Sequence, residues 1–244
     1  MTQQPVTKFP QFYLTAPATC PYLEGKLERK VFTQLLGPAA PTLNDALTHA
    51  GFRRSQSIAY KPACDGCSAC ISVRIVCPRF NVTKSFRRIL NKNEDIVVEP
   101  VVAHATEEQF ELLQLYLKTR HPAGGMTEMD EHDYAAMVED TSVMTRIIEY
   151  RLPALAGERK GQLIGAALTD VLDDGLSMVY SFFDPAFANR GLGTFMILDH
   201  VNLALSKGLE HVYLGYWVQH SPKMAYKSRF RPLEALTATG WRPL

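Results

Sequence analysis

The sequence predicts an α+β protein in two parts. Residues 1–100 read as a basic, cysteine-containing module, and residues 101–244 as a mixed sheet with helices on both faces. Three observations predict this. Cys64, Cys67 and Cys70 fall at C-x-x-C-x-x-C spacing between two short β-rich runs. Composition changes near Pro100. The second part then gives a hairpin, a glycine turn, a helix and a buried strand, in that order.

Taken in order, residues 1–41 are broken by Pro5, Pro10, Pro17, Pro21, Pro38 and Pro41, so loops and short elements are expected. Thr42 is expected to cap a short helix that stops at Gly51. Residues 55–60 and 71–76 read as a pair of strands with the cysteine turn between them. Residues 84–93 read as a basic helix with Phe86, Ile89 and Leu90 on its apolar side. A boundary is expected at residues 95–105. Thr106 and Gln109 form a capping-box start, and Phe110, Leu113 and Leu117 recur at helical spacing, so a helix runs to about Lys118. The loop RHPAGGMTEMDEHD suits a mobile segment, and a second helix covers residues 134–139. Strands follow over residues 143–152, 162–172 and 176–183, the last two joined tightly at Asp173-Asp174-Gly175. The turn Arg190-Gly191-Leu192-Gly193 opens a helix to Ser206, Gly208 stops it, and residues 211–218 form a buried strand.

The chain has 244 residues and is 46% hydrophobic, enough for a sizeable core. No run of 18 apolar residues exists, which argues against a membrane span. The first residues lack a charged-then-apolar leader, so a cytoplasmic location is expected. Five cysteines in a reducing compartment read as free, metal-bound or reactive thiols. The net charge is only +1, yet it is unevenly spread: residues 53–92 carry nine cations and one anion, Asp65, a local net of +8. The remainder therefore carries −7, and one face is expected to bind an anion such as a phosphate backbone.

A glycine turn opening a helix after a hairpin holds a diphosphate on its backbone N–H groups in acetyl-CoA-binding acyltransferases. Gly191 and Gly193 fit that fingerprint, but its first position, normally Gln or Arg, is Ala188, and the arginine is displaced to Arg190. The tail interleaves Tyr216, Trp217 and Tyr226 with Lys223, Lys227, Arg229 and Arg231, a pattern that stacks on unpaired bases and pairs with phosphates.

Five runs, FRRSQSIAYKPACDGCSACISVRI, SFRRILNKN, YSFFDP, RGLG and YWVQHSPKMAYKSRFRPLE, resemble the aminoacyl-tRNA–protein transferase family. They are most similar to its bacterial aspartate/glutamate leucyltransferase branch. The resemblance implies a GNAT-like (acyltransferase-like) C-terminal domain that uses aminoacyl-tRNA in place of acetyl-CoA. It implies transfer of leucine from Leu-tRNA to proteins with N-terminal Asp or Glu, which marks them for degradation by the N-degron (N-end rule) pathway. The alternatives are an arginyl transferase of the same family, a CoA-dependent N-acetyltransferase, or a non-enzymatic metal-ribbon nucleic-acid binder.

Turning an ester into an amide is downhill, so no cofactor is required for the chemistry, and positioning and oxyanion stabilisation should dominate. The acceptor's carboxylate calls for arginine's bidentate fork; Arg74 leads, with Arg53, Arg54 and Lys61 behind it. Arg87, Arg88, Arg190, Gly191, Gly193, Lys223 and Lys227 are expected at the tRNA end. Tyr180, Asp184 and Tyr226 are the catalytic candidates, the tyrosines as donors to the leaving ribose oxygen and the aspartate as a guide for the amine. Cys64, Cys67 and Cys70 with Cys20 admit zinc or an iron–sulfur cluster, structural thiols, or a catalytic nucleophile. Arginine selection would want an acidic pocket from Glu128, Asp130, Glu131 and Asp133.

Overall fold

A computed structural model describes residues 10–122, 124–219 and 221–244. Pro5 of the expected N-terminal loop, Ala123 of the expected mobile loop and His220 of the tail lie outside the described residues.

The N-terminal part forms a small sheet. In chain order its strands are β1 (Tyr13–Leu14), the short pair β2 (Ala18–Thr19) and β3 (Leu27–Glu28), then β4 (Lys30–Gln34), β5 (Arg53–Ser55) and β6 (Ile58–Pro62). The order across the sheet is β1-β4-β6-β5, with β2 and β3 paired separately. Helix α1 (Ala40–His49) covers it, burying Leu35, Ala40, Leu47 and Ala59. Pro41 starts α1, as its missing N–H allows; Thr42 therefore lies inside the helix and caps nothing. Gly51 ends it at φ +87°, as expected.

The strand expected over residues 55–60 falls at Ile58–Pro62, and it does not pair with residues 71–76 across the cysteine turn. Strand β7 (Ile71–Val76) leaves the small sheet and enters the large one, so the cysteine stretch bridges two sheets. Helix α2 (Lys84–Lys92) follows, capped by Thr83, whose hydroxyl accepts from Phe86 N. The rest of the chain supplies β8 (Val97–Val102), α3 (Glu107–Arg120), α4 (Glu131–Glu139), β9 (Thr145–Arg151), β10 (Leu163–Val171), β11 (Gly175–Phe183), α5 (Leu192–Ser206), β12 (His211–Trp217), β13 (Leu233–Thr237) and β14 (Gly240–Pro243). The capping box expected at Thr106 and Gln109 forms. A second one, Asp130 with Asp133, starts α4 earlier than its apolar residues suggest.

The large sheet runs β14-β13-β7-β12-β11-β10-β9-β8. Helices cover both faces, as the sequence predicts. Leu192, Met196 and Val201 of α5 and Phe86 of α2 pack on one face. Leu113 and Leu117 of α3 and Tyr134 and Val138 of α4 pack on the other. All pairs are antiparallel except β11 with β12. The N-terminal segment thus lends a strand, flanked by β12 and β13, to the sheet of the C-terminal segment.

Candidate active site

Strands β11 and β12 are parallel and pair only over Gly175–Ser177 with His211–Tyr213, then diverge. Divergence orphans the carbonyls beyond that point, and orphaned buried carbonyls need donors. Two cations supply them. Arg53 reaches in from β5 and donates to Leu214 O (3.2 Å), Met178 O (3.0 Å) and Val179 O (2.7 Å). Lys227, expected at the tRNA end, is instead buried: from the 3₁₀ turn Ala225–Arg229 it donates to Leu214 O and Tyr216 O, both at 2.7 Å. The register of β12 against β7 shifts between Tyr213 and Gly215, and Gly215 has φ +71°. A Cβ there would lie 1.3 Å from Arg53 Nη1, so only glycine lets the guanidinium in.

Aromatic side chains frame the opening. Tyr116 of α3 meets Phe183 edge-on at 5.2 Å and His121 at 5.6 Å. Arg120 lies 5.8 Å over the Phe183 ring. Tyr180 sits on the diverging half of β11, and Tyr226, 42% exposed, sits beside Lys227 in sequence. Burial raises the hydroxyl pKa of Tyr116, Tyr180 and Tyr226, with a smaller rise in the last two from Tyr116. They stay protonated at neutral pH and can donate to a developing oxyanion. Burial lowers the His121 pKa, and Lys223 and Arg120 lower it further, so its imidazole is neutral. Tyr116, Arg120 and His121 were missed by sequence reasoning. Their signal was present, since the helical period carries α3 straight into the loop taken to be mobile.

The glycine turn stands beside this opening. Gly191, at φ +70°, caps α5, and helix geometry leaves the first N–H groups of α5 without internal partners. Helix α2 packs there, with Ile89 3.6 Å from a Cβ placed on Gly191. Phe86 of α2 stacks on Phe230 of the tail at 5.0 Å, and Arg229 covers the Phe86 ring at 5.7 Å. The outer face of α2 exposes Lys84, Arg87 and Arg88, and Lys223 is exposed on the tail.

Five expected site residues are engaged elsewhere. Arg54 is buried and forks onto Asp170, Nε to Oδ2 at 2.6 Å and Nη2 to Oδ1 at 2.7 Å. Arg74 donates to Glu234 at 2.9 Å and stacks on Trp241 at 4.4 Å, near Asp174, at the opposite end of β11 from Tyr180. Lys61 donates to Ala50 O. Arg190 is turned onto Asp95, Asn93 Oδ1 and the carbonyl of Lys92, away from the helix start it was to serve. Asp184 caps the turn Pro185–Arg190 by accepting from Ala186 N at 2.8 Å. Each of these side chains is hydrogen-bonded within the protein.

Cys20, Cys64, Cys67 and Cys70 line one cavity of about 80 Å³ together with Tyr60 and Tyr216. Cys64 Sγ accepts from Arg29 N at 3.4 Å. Burial pushes the Cys70 thiol up to about 11, and the three other thiols add to the rise. The donor set fits a thiolate-bound group. Among the described residues no three of these sulfurs lie within 4.8 Å of one another. A single tetrahedral zinc holds its sulfurs about 3.8 Å apart.

A split sheet roofed by helices on both faces, with a glycine turn beside the split, is an α+β fold of the acyltransferase-like kind the sequence predicts. The N-terminal and C-terminal profiles of arginine-tRNA-protein transferases match residues 18–88 and 108–237. The aspartate/glutamate leucyltransferase of Parvibaculum lavamentivorans is 59% identical over 99% of this chain and 98% of its own. That of Agrobacterium fabrum is 57% identical over 96% and 95%. The solved structure of FemX aligns over 88% of this chain and 81% of its own, at 9% identity and a TM-score of 0.49. The chain belongs to the arginine-tRNA-protein transferase family, and it is a transferase.

Proposed function

We propose that this enzyme transfers leucine from Leu-tRNA to the α-amino group of proteins that begin with Asp or Glu, in the cytoplasm, and so marks them for N-degron degradation. The observation that carries the proposal is the near-complete match to relatives named aspartate/glutamate leucyltransferase. The geometry supports it at three points. Arg53, with three of its five N–H donors on carbonyls, has donors left for an acceptor carboxylate. Tyr180, Val179, Met126 and Met129 pack against one apolar cluster, a surface that suits a leucine side chain. Asp130 and Asp133 are spent on the capping box of α4, which weighs against an arginine-selecting pocket.

Arg87, Arg88 and Lys223 are the proposed tRNA contacts, with the start of α5 for a phosphate. Tyr180, Tyr226 and Tyr116 are the proposed donors around the ester. The cysteines would hold an iron–sulfur cluster, wider than a single zinc, as a brace between the two sheets. Two substrates decide the matter: purified enzyme is given charged Leu-tRNA or Arg-tRNA with Asp-, Glu- and Arg-initiated peptides. Leucine is expected on the first two peptides only. Arginine transfer, or no transfer beside an active control, overturns the reading.

A further inference from the structure

Among the described residues, the split between β11 and β12 holds two cations whose heads bond no acid. Arg53 and Lys227 enter from opposite ends of the chain and converge on one oxygen, Leu214 O. Among the described residues every hydrogen-bond acceptor of either head is a backbone carbonyl. Lys227 is 6% exposed. Two of its three N–H positions are used by Leu214 and Tyr216, and the third carries a proton or, in the neutral amine, the lone pair. Removal from water, and after it the charge of Arg53, bring its pKa down to about 7. A lysine crowded by another cation in a dry site is neutral often enough to act as a base. The groups around it add no opposing charge: Arg53 faces it from β5, and the hydroxyls of Tyr216 of β12 and Tyr226 of its own turn lie above the ordinary tyrosine pKa and stay protonated.

We propose that Lys227 is the general base of the transfer, taking a proton from the acceptor's α-ammonium while Arg53 holds the acceptor's side-chain carboxylate. This rests on the leucyl-transfer reading above. An N-terminal Asp or Glu presents its ammonium and its carboxylate close together, so two adjacent heads match two adjacent charges. The neutral Lys227 amine takes one proton from the ammonium. The freed amine attacks the ester carbonyl, the C–N bond forms and the C–O bond to the ribose breaks. The second amine proton goes to the ribose oxygen, and Lys227 returns its proton to solvent.

The test uses the full chain, Leu-tRNA and an Asp-initiated peptide, with kcat/KM measured from pH 6 to 9.5. Lys227→Arg keeps the charge but cannot become neutral; Lys227→Met serves the same comparison if the arginine variant does not fold. At pH 7 either is expected to lose about ten-fold, because only about a tenth of an α-amine is neutral there without a base. The deficit should shrink as pH rises through about 8, where the acceptor amine deprotonates unaided. Lys227→Ala should be partly restored by added ethylamine and not by tetramethylammonium. A deficit constant across pH, with no rescue, in variants that keep wild-type circular dichroism and Leu-tRNA affinity overturns the proposal. Absence of leucyl transfer by the wild type would instead sink the activity reading on which it rests.

Discussion

Arg53 and Arg54 are neighbours in the chain with opposite fates. Strand side chains alternate faces, so one guanidinium enters the split and the other closes on Asp170. The sequence shows two equal arginines; nothing within β5 says which meets an acid 116 residues away. Asp170→Asn leaves Arg54 buried and unpaired, and should cost about 3–5 kcal/mol in denaturant titration. Gly215→Ala puts a methyl group where Arg53 lies, at a left-handed φ. It should abolish transfer while leaving Leu-tRNA binding measurable by filter retention. Lys227 gives a pH signature of its own. Its folded pKa, about 7, lies below its unfolded value, so the unfolded chain binds the extra proton between the two. Wild-type stability relative to Lys227→Met should therefore rise from pH 7 towards about 10.4, measured by chemical denaturation.

At the level of elements, the glycine turn, the capping box at Thr106 and the β10–β11 hairpin were legible because each is a local signal. The splay of β11 from β12 was not, since it arises from pairing that stops after Ser177. Strands β13 and β14 also escaped notice. Their residues follow the cation-rich tail, and the hairpin they form joins the sheet only through the pairing of β13 with β7. Helix α2 is basic with one apolar side, as its spacing predicts; Ile89 packs at the glycine turn and Arg87 and Arg88 are exposed. Replacing Arg87 and Arg88 together by alanine should raise KM for Leu-tRNA more than it lowers kcat. The slope of log affinity against log salt should fall by about 2, one for each lost phosphate contact.

Across the whole molecule, the composition change near Pro100 was visible, yet the sheet crosses it. Val73 and Ile75 pair with β12 and β13, so residues 101–244 alone lack a strand that joins β12 to β13. That fragment should show no cooperative thermal transition, whereas the full chain should. The cysteine stretch joins the two sheets at its ends, and Tyr216 is shared between its cavity and the split. Anaerobic loading with iron and sulfide should give visible charge-transfer absorption and a higher melting temperature. Alanine at Cys64, Cys67 and Cys70 together should remove both effects.

The place of β7 also sets a timetable. Val73 leaves the ribosome well before Gly215, its partner on β12. At about 5–20 residues per second the wait is on the order of ten seconds or more. For that time an apolar strand with no sheet to join is an open edge, able to pair with another nascent chain. Slower translation would lengthen this exposure, so the yield of active enzyme should depend on elongation speed and on chaperones that shield the first hundred residues.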